Sequence, residues 1–292
     1  MSVTFSSFTQ TCIYDLRHEG RFATARLYDI SLRSFCKCLG RDVIRFSEIN
    51  RNSLRVFKRY LIERHYSPNT QSTYMRMLRA LYNKGVYAGL AKYVYNLFHD
   101  VFTGIDKSHK KAMSPVDLNK LFFGKVTSPA LIRAQQIAIL MYRLCGIPFV
   151  DFQHVDSDSV KDGSLNYSRR KTGVCVSIPV NKETVSLIEK AAVCPSDMST
   201  EAGYRHYQSL LRKFNASLSR LASKLGIKVH VSSYTIRHSW ATTALHCHVP
   251  VEVISSALGH ADIKTTQIYL KGFNAKEIGL ANRKVCRCVE NK

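Results

Sequence analysis

Three side chains in the last quarter of the chain stand at set intervals: Arg237, His260 twenty-three residues on, and Tyr269 nine residues later. They lie in the runs Ser-Tyr-Thr-Ile-Arg-His-Ser-Trp-Ala-Thr, Ala-Leu-Gly-His and Thr-Thr-Gln-Ile-Tyr, all between Ser233 and Leu270. The pattern predicts that Arg237 begins a helix, that Gly259 ends the next one, and that Asp262 caps the helix presenting Tyr269. Arginine, histidine and tyrosine then converge from three consecutive helix ends. A guanidinium fork can grip two non-bridging oxygens of a phosphate, and an imidazole can donate to the same group. A phenol of pKa about 10 is a poor nucleophile at neutral pH unless its proton is removed or its anion stabilised. Taken singly, each residue fits an ordinary helical hairpin with a satisfied histidine and a core tyrosine. Only the set of three points to chemistry.

The rest of the chain must position that set and bring it a substrate. The 292 residues carry 43 Lys and Arg against 21 Asp and Glu, a formal charge of +22. Neutralising phosphates releases condensed counterions, so a surplus of this size favours nucleic acid as the partner. A membrane surface would call for a basic amphipathic anchor, and none stands out. Apolar runs fall far short of a spanning helix, and the polar Met1–Thr11 stretch has no leader-peptide pattern. Nine scattered cysteines argue against a secreted disulfide framework. The expectation is a cytoplasmic protein with no membrane contact.

The N-terminal third reads as amphipathic helices. From Asn50, a plausible cap, Leu54, Phe57 and Leu61 recur at helical spacing, and Arg51, Arg55, Lys58 and Arg59 take the remaining face. Ser67-Pro68 opens the next helix, to about Asn83, which buries Met75, Leu78 and Tyr82 and points Arg76 and Arg79 elsewhere. Between Arg51 and Lys92 nine basic residues face a single acidic one, Glu63, which suits a phosphate backbone. The polar run over residues 107–112 reads as a linker. Ser114-Pro115 then opens a second domain, with a helix over Leu131–Cys145. A small β-hairpin or three-stranded meander is expected between Val155 and Val180, and a long helix over Tyr204–Leu225. The fold class is mainly α in two domains: a helical domain over 1–106, and over 113–292 a mixed α domain with a small antiparallel sheet.

In order and spacing, the Arg-His, Leu-Gly-His and Thr-Thr-x-x-Tyr elements resemble the catalytic signature of the tyrosine recombinases, the phage-integrase family. The likeness extends over nearly the whole chain, with a SAM-like core-binding domain, a linker and a catalytic domain. By this resemblance the hairpin lysine of that family is Lys171 in Arg-Arg-Lys-Thr-Gly, and Asp151 is the acidic residue three places after the family's first arginine. The resemblance implies that Tyr269 attacks a DNA phosphodiester, leaving a 3′-phosphotyrosine and a free 5′-hydroxyl. Arg237 and His260 would hold the phosphate, and Lys171 would protonate the leaving 5′-oxygen. Double-stranded DNA and a homotetramer on two sites are the implied partners, with room for an accessory DNA-bending protein. The two domains would clamp duplex DNA between them. No metal or other cofactor is expected, since Cys36/Cys38 and Cys286/Cys288 are isolated pairs without zinc-site spacing. With too short an N-terminal segment for an arm-binding domain, the expectation is a simple-site enzyme, a DNA invertase or mobile-element integrase.

The chain departs from the family pattern twice. Tyr234 stands where the family has a histidine, and it can still hydrogen-bond a phosphate oxygen. Pro148 stands where the family's first catalytic arginine belongs, after Cys145-Gly146-Ile147. Arg143, Arg169 and Arg170 are the nearest replacements in sequence. Pro148 also raises the alternative of a decayed recombinase that binds DNA without cutting it. A topoisomerase-like relaxing enzyme is a second rival, disfavoured by the size and the Leu-Gly-His pattern.

Overall fold

Helix starts in the first third fall where side chains can satisfy the leading N–H groups. Thr4, Asn50 and Ser67 cap α1 (Phe5–His18), α3 (Arg51–Glu63) and α4 (Pro68–Tyr87), each accepting from the backbone N–H three residues on. Between them, α2 (Phe22–Leu39) closes on Gly40 in the left-handed region. Leu54, Phe57, Leu61, Met75, Leu78 and Tyr82 are all buried, in one core with Phe5, Phe35 and Ile44. In these helices the apolar period and the inward face coincide.

The computed structural model describes residues 3–104, 112–191, 193–267, 279, 282, 283 and 286. They form two compact units, one of residues 1–109 with Asp197–Arg205, the other of 110–196 with 206–292. The stretch Asp197–Arg205 thus lies, in sequence, inside the region read as the second domain. Among the described residues no helix is long and apolar enough to cross a membrane.

The second unit starts with α5 (Pro115–Phe123), capped by Ser114, and α6 (Pro129–Arg143). A tight turn leads to the single turn of α7 (Phe149–Phe152). Three antiparallel strands follow in meander order: β1 (Val160–Lys161), β2 (Ser164–Ser168) and β3 (Cys175–Pro179), with Leu165 opposite Ile178 and Tyr167 opposite Val176. Helices α8 (Lys182–Lys190), α9 (Glu201–Lys224) from residue 206 on, α10 (Ser233–His246), α11 (Val251–Leu258) and α12 (Lys264–Gln267) complete it. Ile137, Leu140, Met141 and Leu144 meet Leu165, Leu218, Leu221 and Ile236 in its core.

α10 is the central beam. It packs on α6, its start is tied to α9 by Ser233 N donating to Asn215 Oδ1 at 2.9 Å, and Ser239 Oγ accepts from Met113 N at 2.9 Å. It begins earlier than expected. Ser232 caps it by accepting from Thr235 N, so Arg237 sits in its second turn rather than at its start. Pro148 precedes α7 in an extended conformation, φ −67° and ψ 148°, within the φ range its ring imposes.

Candidate active site

The site is assembled where α10, the turn before α7, the β2–β3 turn and the end of α11 meet. A small cluster of Ala241, Ile254 and Leu258, backed by Trp240, Leu245 and Val249, fixes α11 against α10. That packing brings the Leu258 carbonyl over Arg237. Arg237 is 5% exposed and its fork is spread across backbone: Nη1 donates to Gly146 O at 2.9 Å and Nη2 to Leu258 O at 2.6 Å.

Gly146 makes this possible. Its φ of +67° is left-handed, and a Cβ there would lie 2.9 Å from the Arg237 Cα. Cys145 before it also has positive φ, 54°, and burial pushes its thiol up to about 11 despite the nearby Arg237 charge.

His260 follows Gly259, the left-handed residue that closes α11. Its Nε2 lies 3.1 Å from Arg237 Nη2 and its Nδ1 2.8 Å from Thr266 Oγ1. A guanidinium can only donate, so Nε2 accepts and Nδ1 carries the proton. Burial, then the charges of Arg237, Arg169 and Lys171, hold the imidazole neutral, with its pKa lowered to about 4. In this resting arrangement His260 is therefore an acceptor toward Arg237, not a donor. Thr266, buried in α12, is the residue that sequence reasoning missed here; the Thr-Thr pair before the tyrosine was its signal.

Lys171 is exposed in the β2–β3 turn. The turn is closed by Gly173 N donating to Arg169 O at 2.7 Å, and it is tied toward α11 by Thr172 Oγ1 donating to Gly259 O at 3.2 Å. Beneath it, Asp151 Oδ1 accepts from Arg170 N at 2.9 Å. Asp151 Oδ2 lies 2.8 Å from Arg169 Nε, a charge contact whose angle falls short of a directed hydrogen bond. Burial raises the Asp151 carboxyl against the Arg170 N–H and the Arg169, Arg237 and His154 charges. Tyr167 on β2 is close to the same charges, and burial pushes its phenol up to about 12, so it stays protonated.

The structure thus brings together Arg237, His260 and the lysine-bearing turn. Tyr234 is 44% exposed in the first turn of α10, its ring stacked on His238. Tyr269 lies outside the described residues. Just before α12, Asp262 Oδ1 accepts from Lys264 N at 2.9 Å. Among the described residues no group of three or more His, Cys, Asp or Glu could hold a metal ion.

The basic helices of the first unit present a different geometry. Arg51 donates to Tyr95 O at 3.2 Å, Arg55 pairs with Asp100 Oδ2 at 2.5 Å, and Arg79 donates to Thr103 Oγ1 at 3.2 Å. All three lean on the segment after α4. Arg76 reaches Thr73 on its own helix at 3.4 Å, and Lys58 is half-buried.

Comparison with known proteins agrees with this architecture. The phage integrase SAM-like domain model matches residues 4–99, and the phage integrase family model matches residues 149–275. Tyrosine recombinase XerD of Listeria innocua is 24% identical over 265 residues, 84% of this chain and 86% of its own. Tyrosine recombinase XerA of Pyrococcus horikoshii is 26% identical over 245 residues, 76% of this chain and 84% of its own. The fold is also that of the Tn1549 transposon integrase in complex with a circular intermediate DNA, at TM-score 0.66 and 12% identity, covering 97% of this chain and 100% of that one. A lambda integrase dimer bound to a core site gives TM-score 0.66 at 15% identity, covering 94% of this chain and 81% of that one. With both family models matched in chain order, and with Arg237, His260 and the lysine-bearing turn brought together, the chain belongs to the phage integrase family, the tyrosine recombinases, enzymes that cleave and rejoin DNA at specific sites.

Proposed function

We propose that this recombinase cuts and rejoins one DNA strand at a time through a covalent link to Tyr269. The phenolic oxygen attacks phosphorus, its proton passing to water, and the bond from phosphorus to the 5′-oxygen breaks. Lys171 gives a proton to that oxygen, so a 3′-phosphotyrosyl link and a 5′-hydroxyl result. Reversal by a different 5′-hydroxyl rejoins strands without ATP, because the phosphodiester energy is kept in the link. The observation that carries this reading is the buried Arg237, spread between Gly146 O, Leu258 O and His260 Nε2 in a setting dominated by positive charge. A fixed guanidinium in a water-poor site stabilises charge that builds on phosphate far better than one in solvent. Burial, and after it the neighbouring cations, keep His260 neutral; an arriving phosphate offsets the cations and so moves the imidazole toward the protonated, donating form.

In the same proposal residues 1–106 grip the duplex, with Arg51, Arg55, Lys58, Arg76 and Arg79 toward phosphates, and 113–292 carry the chemistry. Tyr234 adds a donor at the phosphate. The protein works in the cytoplasm as a tetramer on two sites, and a DNA-bending protein assists their pairing. The lambda integrase structures of a dimer on a core site and a tetramer on a Holliday junction support that assembly.

The test is a nicked duplex from which the short cleaved strand diffuses away, trapping the adduct. Wild type should form a denaturation-resistant DNA complex. Tyr269→Phe should bind equally well and form none, since only a hydroxyl is removed. An adduct in the Phe variant would reassign the nucleophile. No adduct in wild type, with one gained by Pro148→Arg, would identify a decayed recombinase instead.

A further inference from the structure

Where the family places its first catalytic arginine, this chain has Pro148, half-buried in extended backbone and offering no donor of its own. Three arginines stand near enough in sequence to replace it, and the fold separates them. Arg143, at the end of α6, donates to Glu183 Oε1 on α8 at 2.9 Å. The side chain of Arg170 is exposed, and the residue enters the cluster through its backbone N–H to Asp151. Arg169 is the most buried of the three. It is 7% exposed, and its Nη1 donates to Leu258 O at 2.5 Å, the same carbonyl that accepts from Arg237 Nη2. Two donors on one oxygen lie within about 5 Å of each other.

We propose that Arg169 supplies the second guanidinium of the phosphate site, from the β2–β3 hairpin, in place of the arginine lost at Pro148.

Two features beyond proximity support this assignment, which rests on the recombinase reading above. Gly259, with φ +62°, is moulded to Arg169: a Cβ there would stand 2.6 Å from the Arg169 Cγ, as one at Gly146 would crowd Arg237. Each arginine is thus passed beneath a left-handed glycine that no side chain could replace without displacing it. The second feature is charge. The charged groups acting on His260 are Arg237, Arg169 and Lys171, all positive. Asp151 Oδ2 lies along the Nε edge of Arg169, at 2.8 Å. Like charges drawn this close in a poorly hydrated site favour an anion between them, and a tetrahedral phosphate offers oxygens to both forks.

The experiment compares two backbones. Covalent capture on nicked duplexes of randomised sequence first yields a strand that wild type cleaves. That strand is then made with either a phosphodiester or a charge-neutral methylphosphonate at the scissile position. Arg169→Ala should lower adduct formation about 10²–10³-fold on the phosphodiester and less than about tenfold on the methylphosphonate, where no second negative charge needs an arginine. Arg169→Lys keeps a charge beside Asp151 but loses the fork; it should fall between, with the same dependence on backbone, and it decides the matter if the Ala variant melts. Arg143→Ala should match wild type. Pro148→Arg placed in the Arg169→Ala background should recover activity on the phosphodiester. Equal loss on both backbones would make Arg169 a positioning residue only, and no loss would remove it from the site. Both results overturn the inference while leaving the recombinase reading intact, whereas the absence of any wild-type adduct sinks both.

Discussion

The arginines of the two units are used in opposite ways. Arg237 and Arg169 are 5% and 7% exposed; Arg237 is fastened to two backbone carbonyls from distant parts of the second unit, Gly146 O and Leu258 O, and Arg169 to the second of these. Arg51 and Arg55 lie on the exposed face of α3, and with Arg79 of α4 they touch the segment after α4 through single contacts at its surface. A charge in a poorly hydrated, fixed setting acts strongly on whatever anion enters, and its loss is felt by one step of chemistry. A solvated charge is screened within about 10 Å at 0.1 M salt, so its share of binding is modest, additive and dependent on ionic strength. Position relative to solvent, not residue type, separates the arginines that would drive the reaction from those that would hold the substrate.

The sharpest break of this contrast is Arg237→Ala beside Arg51→Ala. The first should lower the single-turnover cleavage rate by about 10³-fold with little change in DNA affinity. The second should do the reverse. Should both variants lose affinity and keep their rate at saturating protein, the division between the units is misplaced.

Lys171 tests whether an exposed side chain can still belong to the chemical group of residues. As the donor to the leaving oxygen, it matters only while that oxygen needs a proton. Lys171→Ala should be slowed by about 10²-fold on ordinary DNA and largely rescued by a 5′-bridging phosphorothiolate, whose thiolate leaves unaided. An equal defect on both substrates would remove Lys171 from that role.

Smaller effects are expected from the first unit. Alanine at Arg51, Arg76 or Arg79 should weaken binding to all sequences alike and flatten the slope of log K against log salt by about 0.9 for each phosphate left without its cation. Arg55 should change it least, because Asp100 already offsets its charge. A substitution that alters sequence preference with the slope unchanged would mean that this helix reads bases.

The smallest effect is a pH dependence of stability. His260 titrates near 4 in the folded protein against an ordinary value of 6.5, so the unfolded chain binds the extra proton between these limits. Stability from this group is complete above about pH 6.5 and is lost as pH falls toward 4. The melting temperature of wild type should decline through that window more steeply than that of His260→Asn. Parallel curves would show that the imidazole is not held neutral by its neighbours.

The helical faces were legible because burial in α3, α4 and α9 follows a simple period, and caps such as Asn50, Ser67 and Ser114 advertise their starts. α10 does not read that way. It buries Thr235, Ile236, Arg237, Ser239 and Ala241, contacts the core on several sides, and so carries no apolar stripe. For that reason its start lies earlier than the residue pattern suggests. The candidate site was legible through the family resemblance, whose motifs and intervals, Arg237 to His260 and His260 to Tyr269, persist where hydrophobic periodicity fails.

Sequence by itself determined which residue types are present at those intervals, the excess of positive charge and the replacement at Pro148. It also determined the glycines at 146 and 259, since no other residue adopts left-handed backbone there without crowding an arginine stem. Only the tertiary structure decided which arginine of Arg143, Arg169 and Arg170 reaches the site, because adjacent residues of a hairpin point to opposite faces. It decided, too, that His260 rests as a neutral acceptor, since its pKa depends on burial and on charges brought from the β2–β3 turn and α10. Identity and spacing are properties of the chain. Charge state and reach depend on which distant backbone carbonyl, guanidinium or carboxylate the fold places alongside.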